Sequence, residues 1–347
     1  MNLDMKWLAW EITSRCNLSC IHCRSSSTMQ KKENELTTKE AFKILDDLAE
    51  FAKPTIVLSG GEPLLRKDVY EIARYGTEKG IRMTLATNGT LVNDEIAKKI
   101  KDSGIKSCSL SLDGATPEVH DNFRKQKGAF KSVMRCIEIF KKHNIPFLIN
   151  SSFTKRNQKD IAETLRMAIE LGAMAWFMFV IIPTGRGAGV TEEFIDKDTY
   201  VEILKWHYER EKEGKIRMRP VCAPFYFRLK KEWGDKENIK DKSSPLGFIS
   251  DRGCIGAVGG VFVSKDGMVT PCSYFPFEVG HVRKNSIREI WENSPRLNDL
   301  RNFDNYQGDC HYCEYSVVCG GCRALAYFFK GNHLEKDPYC AYKPKRI

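Results

Sequence analysis

The chain has no run of about 18 apolar residues, the length a helix needs to cross a bilayer core, so no membrane span and no membrane partner are expected. Its first ten residues carry Asp4 and Lys6 and lack the apolar core of a secretory signal, which makes the cytoplasm the expected compartment. There is no basic stripe interleaved with aromatics, which argues against nucleic acid. Nor is there an even number of cysteines. Thirteen cannot all pair, and disulfides are the wrong default in a reducing compartment.

What is present points to metal. Thirteen cysteines are many for a cytoplasmic protein of 347 residues. Cys108 and Cys136 lie in apolar-periodic stretches and read as core residues; Cys222 is undecided. Lys plus Arg exceed Asp plus Glu by 10 (55 against 45). That balance suits an anionic partner, or equally a solvated lysine-rich face.

Strand-like and helix-like stretches alternate from the start. Strands are expected over 7–13, 55–58, 81–86, 105–112, 145–153 and 175–182. Helices are expected over 37–51, 68–79, 93–103, 129–143 and 158–171, several of them stopped by glycine. Six βα-type repeats imply an α/β fold with a parallel sheet curled into a partial barrel, its active face at the strands' C-terminal ends. After residue 182 the pattern changes. Residues 183–187 are turn-rich, 197–213 read as a helix, and 230–244 read as charged and exposed. From Cys254 the chain is loop-rich and cysteine-dense, too small to rely on an apolar core, so metal sites are the natural staples. With a boundary near 250, the expected organisation is a core over 1–190, a bridging region over 191–253 and a cysteine-rich unit over 254–347.

The sharpest local signal is Cys16-Asn-Leu-Ser-Cys20-Ile-His-Cys23, directly after the first strand. Three thiolates in one loop can hold three irons of a cubane and leave the fourth open. An open metal position marks reactivity, as it does in catalytic zinc sites. Zinc itself usually takes four protein ligands, and His22 sits poorly between the cysteines to serve as one.

A Cys-x3-Cys-x2-Cys loop after the first strand of a βα barrel resembles the radical SAM superfamily. The resemblance implies a partial (β/α)6 radical SAM barrel in which Cys16, Cys20 and Cys23 hold a catalytic 4Fe–4S cluster. The open iron would bind S-adenosyl-L-methionine through its amino and carboxylate groups, and one electron would cleave it to a 5′-deoxyadenosyl radical. Further stretches match. Ser59-Gly60-Gly61-Glu62-Pro63 resembles the family's GGEP motif, where Glu62 would meet the methionine ammonium. Thr87-Asn88-Gly89-Thr90 resembles its TNG turn. Ser109, Ser111 and Asp113, with Asn150 and Ser152 on the next strand, look like ribose- and carboxylate-contacting positions, although an ordinary strand-end role fits them as well. His22 holds the usual aromatic position beside the adenine.

At the other end, Cys254, Gly267-x4-Cys272 and Cys310-x2-Cys313-x5-Cys319-x2-Cys322-x17-Cys340 resemble the SPASM extension of these enzymes. By that resemblance Cys310, Cys313, Cys319 and Cys340 hold one auxiliary 4Fe–4S cluster. Cys254, Cys272 and Cys322 would hold another that lacks the usual further cysteine, so one or two auxiliary clusters are implied. Zinc remains an alternative for the first group, since paired cysteines also build zinc ribbons.

Longer pieces are similar to the Ahb-type haem b synthases of the alternative haem pathway: Trp10–Cys16 with His22-Cys23-Arg24, Pro183-Thr-Gly-Arg-Gly187, Cys222-Ala-Pro224, Val318–Ala324 and Pro338-Tyr-Cys340. That family turns two propionates of iron-coproporphyrin III into vinyls. The resemblance implies an anionic tetrapyrrole substrate and an electron donor such as flavodoxin or ferredoxin. Arg186, Arg219 and Arg228 are candidates to clamp the substrate carboxylates. His207, His281 or Cys222 could ligate the tetrapyrrole iron. A sister enzyme of the haem d1 or didecarboxysirohaem branch, or a SPASM peptide maturase, is the alternative. Against the last, the first strand begins too early to leave room for an N-terminal peptide-docking domain.

Overall fold

Helices form where the sequence provides an apolar stripe and a cap. In α1 (Thr38–Phe51) Ala41, Ile44, Leu45 and Leu48 face the core, and Thr37 closes a capping box with Glu40. Asn93 caps α3 (Asp94–Asp102) in the same way by accepting from the Ile96 amide. Between them lies α2 (Val69–Glu78). Four further helices follow: α4 (Pro117–Arg124), α5 (Ala129–Lys142), α6 (Ile161–Glu170) and α7 (Lys197–Lys212). The computed structural model describes residues 4–30, 33–234 and 252–344.

The six expected strands are β1 (Trp7–Glu11), β2 (Thr55–Ser59), β3 (Arg82–Thr87), β4 (Cys108–Ser111), β5 (Phe147–Phe153) and β6 (Ala175–Val180). They pair in sequence order, each parallel to the next. The sheet then extends past both ends of the expected set. β7 (Arg217–Val221) pairs parallel to β6, and β8 (Gly260–Val263) pairs parallel to β1. Beyond β8 lie β9 (Met268–Thr270) and β10 (Gly280–His281), both antiparallel. The result is an open ten-stranded sheet in the order β10-β9-β8-β1-β2-β3-β4-β5-β6-β7, not a closed barrel.

Two differences from the sequence expectation have clear causes. β7 contains Pro220, which argues against a central strand, but β7 is the sheet's edge and an edge tolerates proline. β8 has only four residues, all buried, too short to stand out from its loop-rich surroundings. The cysteine-rich unit is therefore joined to the core by main-chain pairing along β1.

The expectation of an exposed charged segment from residue 230 fails at its start. Lys230, at the end of α8 (Phe225–Glu232), is buried and donates to Glu211 at 3.1 Å. Residues 235–251, which include the boundary placed near 250, lie outside the described residues. Cys108 and Cys136 are fully buried in the main apolar core, as expected. No helix among the described residues is long and apolar enough to cross a membrane.

Candidate active site

The loop after β1 carries Cys16, Cys20 and Cys23, and its position is set by contacts from every side. The Cys16 amide donates to the Thr28 carbonyl at 2.8 Å, closing the loop's base. Glu35 accepts from the Ser14 amide at 2.7 Å and from the Thr13 and Ser14 hydroxyls. Glu11, buried at the end of β1, accepts from Arg24 at 2.6 Å and from Ser25 at 2.8 Å.

Two cations finish the loop, Arg124 buried and Arg186 half-buried. Arg124, at the end of α4, pairs with Asp113 at 2.5 Å and donates to the Cys20 sulfur at 3.6 Å. Burial works against its charge, yet Asp113 and Cys20 outweigh it and hold the guanidinium protonated. Burial pushes the Cys16 thiol up to about 11 and raises Cys20 as well, Arg124 opposing the latter. These thiols therefore give up their protons when metal binds, not before.

Arg186 is the second cation. Its Nε donates to the Cys20 carbonyl at 2.8 Å and one terminal nitrogen donates to the Ser27 carbonyl at 2.9 Å. The turn that carries it lies hard against the loop: the Arg186 amide donates to the Cys23 carbonyl, and a Cβ on Gly185 (φ +55°) would run into the Arg24 carbonyl. Arg186 thus braces the cysteine loop, and its other terminal nitrogen is buried without a protein partner.

The other two arginines expected to clamp carboxylates are also committed within the protein. Arg219 donates to the Arg252 carbonyl at 3.1 Å and lies over Phe227. Arg228 pairs with Glu232 at 2.5 Å and lies over Tyr342. Of the proposed iron ligands, His207 is buried between Trp176 and Tyr226, and the Arg283 amide donates to the His281 ring at 3.2 Å. Asp113, expected at a ribose, instead spends one oxygen on Arg124 and the other on the Ser152 amide at 2.7 Å.

Beside the cysteines, Ser59 ends β2 and Gly60-Gly61 follow under the loop. A Cβ on Gly61 would collide with the Arg15 carbonyl and approach the Cys16 Cβ to 2.9 Å, so only glycine lets the two segments close. Pro63 is buried and opens the 3-10 turn Pro63–Leu65. Glu62 is fully buried. It accepts from the Thr87 hydroxyl and the Asn88 amide at 2.8 Å each, and from the Leu64 amide at 3.2 Å. Burial pushes its carboxyl up to about 7. Three of roughly four acceptor positions are filled, leaving room for one more donor. The Asn88 side chain is occupied by Asn17 and Thr90.

His22 leans on Phe123 with ring centroids 4.6 Å apart, and burial, with Arg124 and Arg186 nearby, keeps it neutral. Its Nδ1 is buried without a protein partner, as is the Asn150 Oδ1. Ser111 pairs in register with Asn150 at the ends of β4 and β5. Free buried thiols, a glycine cradle, a nearly saturated carboxyl and two orphaned polar atoms fit a small polar cofactor bound beside a metal cluster.

In the cysteine-rich unit the thiols fall into two neighbourhoods. Burial raises Cys319, and Cys340 and Cys310 nearby push the same way; Cys313 is raised likewise beside Cys310 and Cys340. Arg323 donates to the Cys310 sulfur at 3.6 Å. Cys254, Cys272 and Cys322 line a separate cavity. Among the described residues no three Cys, His, Asp or Glu side chains converge on a single-ion site. The thiol groups stand wider, and their assignment to iron–sulfur clusters rests on their pattern and on the family.

Sequence reasoning missed Arg124, although Thr116-Pro117 is a cap followed by proline and marks the start of its helix. It also missed Arg24, which donates to Glu11 and, at 3.4 Å, to the Ser273 carbonyl beside Cys272.

An open parallel sheet with a braced three-thiol loop and a glycine cradle at one end defines a radical SAM protein. The Radical SAM superfamily model matches residues 10–168, and a model described as an iron–sulfur cluster-binding domain matches residues 254–314. The chain is 46% identical to an AdoMet-dependent heme synthase of Methanosarcina barkeri, over 97% of this chain and 96% of that protein. It is 38% identical to one of Nitratidesulfovibrio vulgaris, over 99% and 94%. The structure of Streptococcus suis SuiB bound to S-adenosylmethionine superposes with a TM-score of 0.75 at 16% identity, over 98% of this chain and 78% of that one, and supports the fold alone. The chain belongs to the radical SAM superfamily, in the same family as these heme synthases. It is an enzyme that uses S-adenosylmethionine, a 4Fe–4S cluster and auxiliary iron–sulfur clusters.

Asp113→Asn leaves the buried Arg124 cation unpaired, at an expected cost of about 3–5 kcal/mol. Adding Arg124→Met should recover a substantial part of it. Denaturant midpoints of the two variants check this; a double variant no more stable than the single would count against the pair.

Proposed function

We propose that this enzyme decarboxylates two propionates of iron-coproporphyrin III oxidatively and leaves two vinyls, giving haem b. Kinship over nearly the whole chain with AdoMet-dependent heme synthases carries this reading. When bound, the cluster and S-adenosylmethionine supply a hydrogen-abstracting organic radical at this edge of the sheet. Cys16, Cys20 and Cys23 hold the cluster. Glu62 takes the cofactor's ammonium in its remaining acceptor position. Ser59, Gly60, Gly61 and Pro63 shape the cradle, and Asn88 fixes the turn that supports Glu62. Neutral His22 would lie beside the adenine, and Ser111 and Asn150 would offer polar atoms to the ribose. Asp113 acts at one remove, by holding Arg124 against Cys20.

Each propionate loses one hydrogen atom from the carbon next to the ring. The bond to its carboxylate then breaks, releasing CO2 and one electron and leaving the vinyl. In the region 254–347, Cys310, Cys313, Cys319 and Cys340 would hold one auxiliary cluster and Cys254, Cys272 and Cys322 another, and such clusters would supply an acceptor for a single electron. The regions 1–190 and 191–253 supply the radical site and the sheet's outer edge. A flavodoxin or ferredoxin in the cytoplasm provides the initiating electron.

Anaerobic protein given reductant, S-adenosylmethionine and iron-coproporphyrin III should yield two successive CO2 losses by mass spectrometry. Product from a peptide but none from the tetrapyrrole would overturn the reading. Glu62 gives a pH test. Below about 7 its carboxyl is protonated and cannot pair with an ammonium, so cofactor affinity should fall as pH drops, approaching tenfold per unit. Glu62→Gln should bind weakly and flatten the profile between about pH 6 and pH 7.5. A flat profile in the unaltered enzyme would remove Glu62 from this role.

A further inference from the structure

We propose that Cys222 is the fourth protein ligand at the auxiliary site of Cys254, Cys272 and Cys322, closing that site so that it carries electrons and does not bind substrate. The inference rests on the reading that these three cysteines hold a cluster.

The three thiols line one cavity together with Arg252, Phe275 and Tyr306. Cys254 and Cys272 flank Gly256: a Cβ placed there would lie 3.7 Å from one sulfur and 3.4 Å from the other residue's Cβ. Cys222 arrives from the opposite edge of the sheet, directly after β7. Two contacts bring that edge in. Arg219 of β7 donates to the Arg252 carbonyl, and Gly253 lies so close to Pro224 that a Cβ would collide with its main chain. The segment 222–224 is thereby pressed against the residues just before Cys254.

Cys222 is also held in an expensive conformation. Its φ is +63°, in the left-handed region where glycine or asparagine is the easy choice. A cysteine there, at a strand end, is the kind of strained position that persists when a specific side chain is needed in place. Its thiol is hydrogen-bonded to Tyr274, two residues after Cys272. Cys272 and Cys254 lie close enough to interact with it. Cys322 in turn feels Cys222 and Cys254. Four thiols, one directly after the edge strand β7 and three from the C-terminal unit, would staple that edge to the unit, and four ligands on a cubane leave no iron open for a carboxylate.

The test uses the full chain, reconstituted anaerobically, with iron and sulfide analysis and electron paramagnetic resonance. The unaltered protein should hold about 12 irons in three cubanes. Cys222→Ala and Cys254→Ala should lose the same cluster signal and about four irons each, while both still cleave S-adenosylmethionine without substrate. Cys222→Ser, which keeps the size and offers an oxygen, should fold normally and alter the spectrum of one cluster only. If Cys254→Ala loses a cluster but both Cys222 variants match the unaltered protein in iron, sulfide and spectrum, the ligand assignment is overturned. If Cys254→Ala also changes nothing, the auxiliary site on which it rests is overturned with it.

Discussion

Concentrating three thiolates within eight residues at the C-terminal end of an interior strand requires compensating positive charge, and the Arg124 cation, held by Asp113, provides it. Arg124 meets the Cys20 sulfur directly, and Asp113 holds Arg124 at that spot by a contact of 2.5 Å. The pair lies where burial penalises any lone charge, so neither member is dispensable. Arg186 complements it from the other side by gripping the loop's carbonyls in place of its sulfurs. One arginine therefore sets the charge at the cysteines and the other sets the backbone path. The turn at 183–187 fits this arrangement, since Gly185 allows the approach and Arg186 makes the grip.

The two cysteine-rich regions are linked as one structure. β8 continues the sheet alongside β1, placing the first strand of the C-terminal unit next to the strand that feeds the cysteine loop. Arg24 follows Cys23 in sequence and reaches the Ser273 carbonyl beside Cys272. It also lies over Phe262 of β8, 4.5 Å from the ring centre. Arg24 thus joins the N-terminal cysteine loop to the C-terminal unit by direct contacts.

Much of this was legible in the sequence because the informative signals are local. The Cys-x3-Cys-x2-Cys loop, the glycine pair before Glu62 and the strand–helix alternation each depend on neighbouring residues, and all reappear where expected. What stayed hidden are the long-range partners. An arginine's partner is not written in its sequence surroundings, and Arg186, Arg219 and Arg228, the expected substrate clamps, each also make contacts within the fold. Asp113 looked like a ribose contact because Arg124, eleven residues on, lay in a helix that periodicity alone did not reveal. β7 was hidden by Pro220, whose tolerance depends on edge position, and the neighbourhood of Cys222 depends on the two sheet edges meeting.

The account stands most directly on whether the three loop cysteines hold the reactive cluster. Anaerobically reconstituted protein can be compared with a variant carrying Cys16→Ala, Cys20→Ala and Cys23→Ala together, following 5′-deoxyadenosine formed from S-adenosylmethionine under strong reductant. The unaltered chain should form it, and the triple variant should form none while keeping the iron of its C-terminal unit. Equal 5′-deoxyadenosine from both proteins, or none from either, would contradict the account.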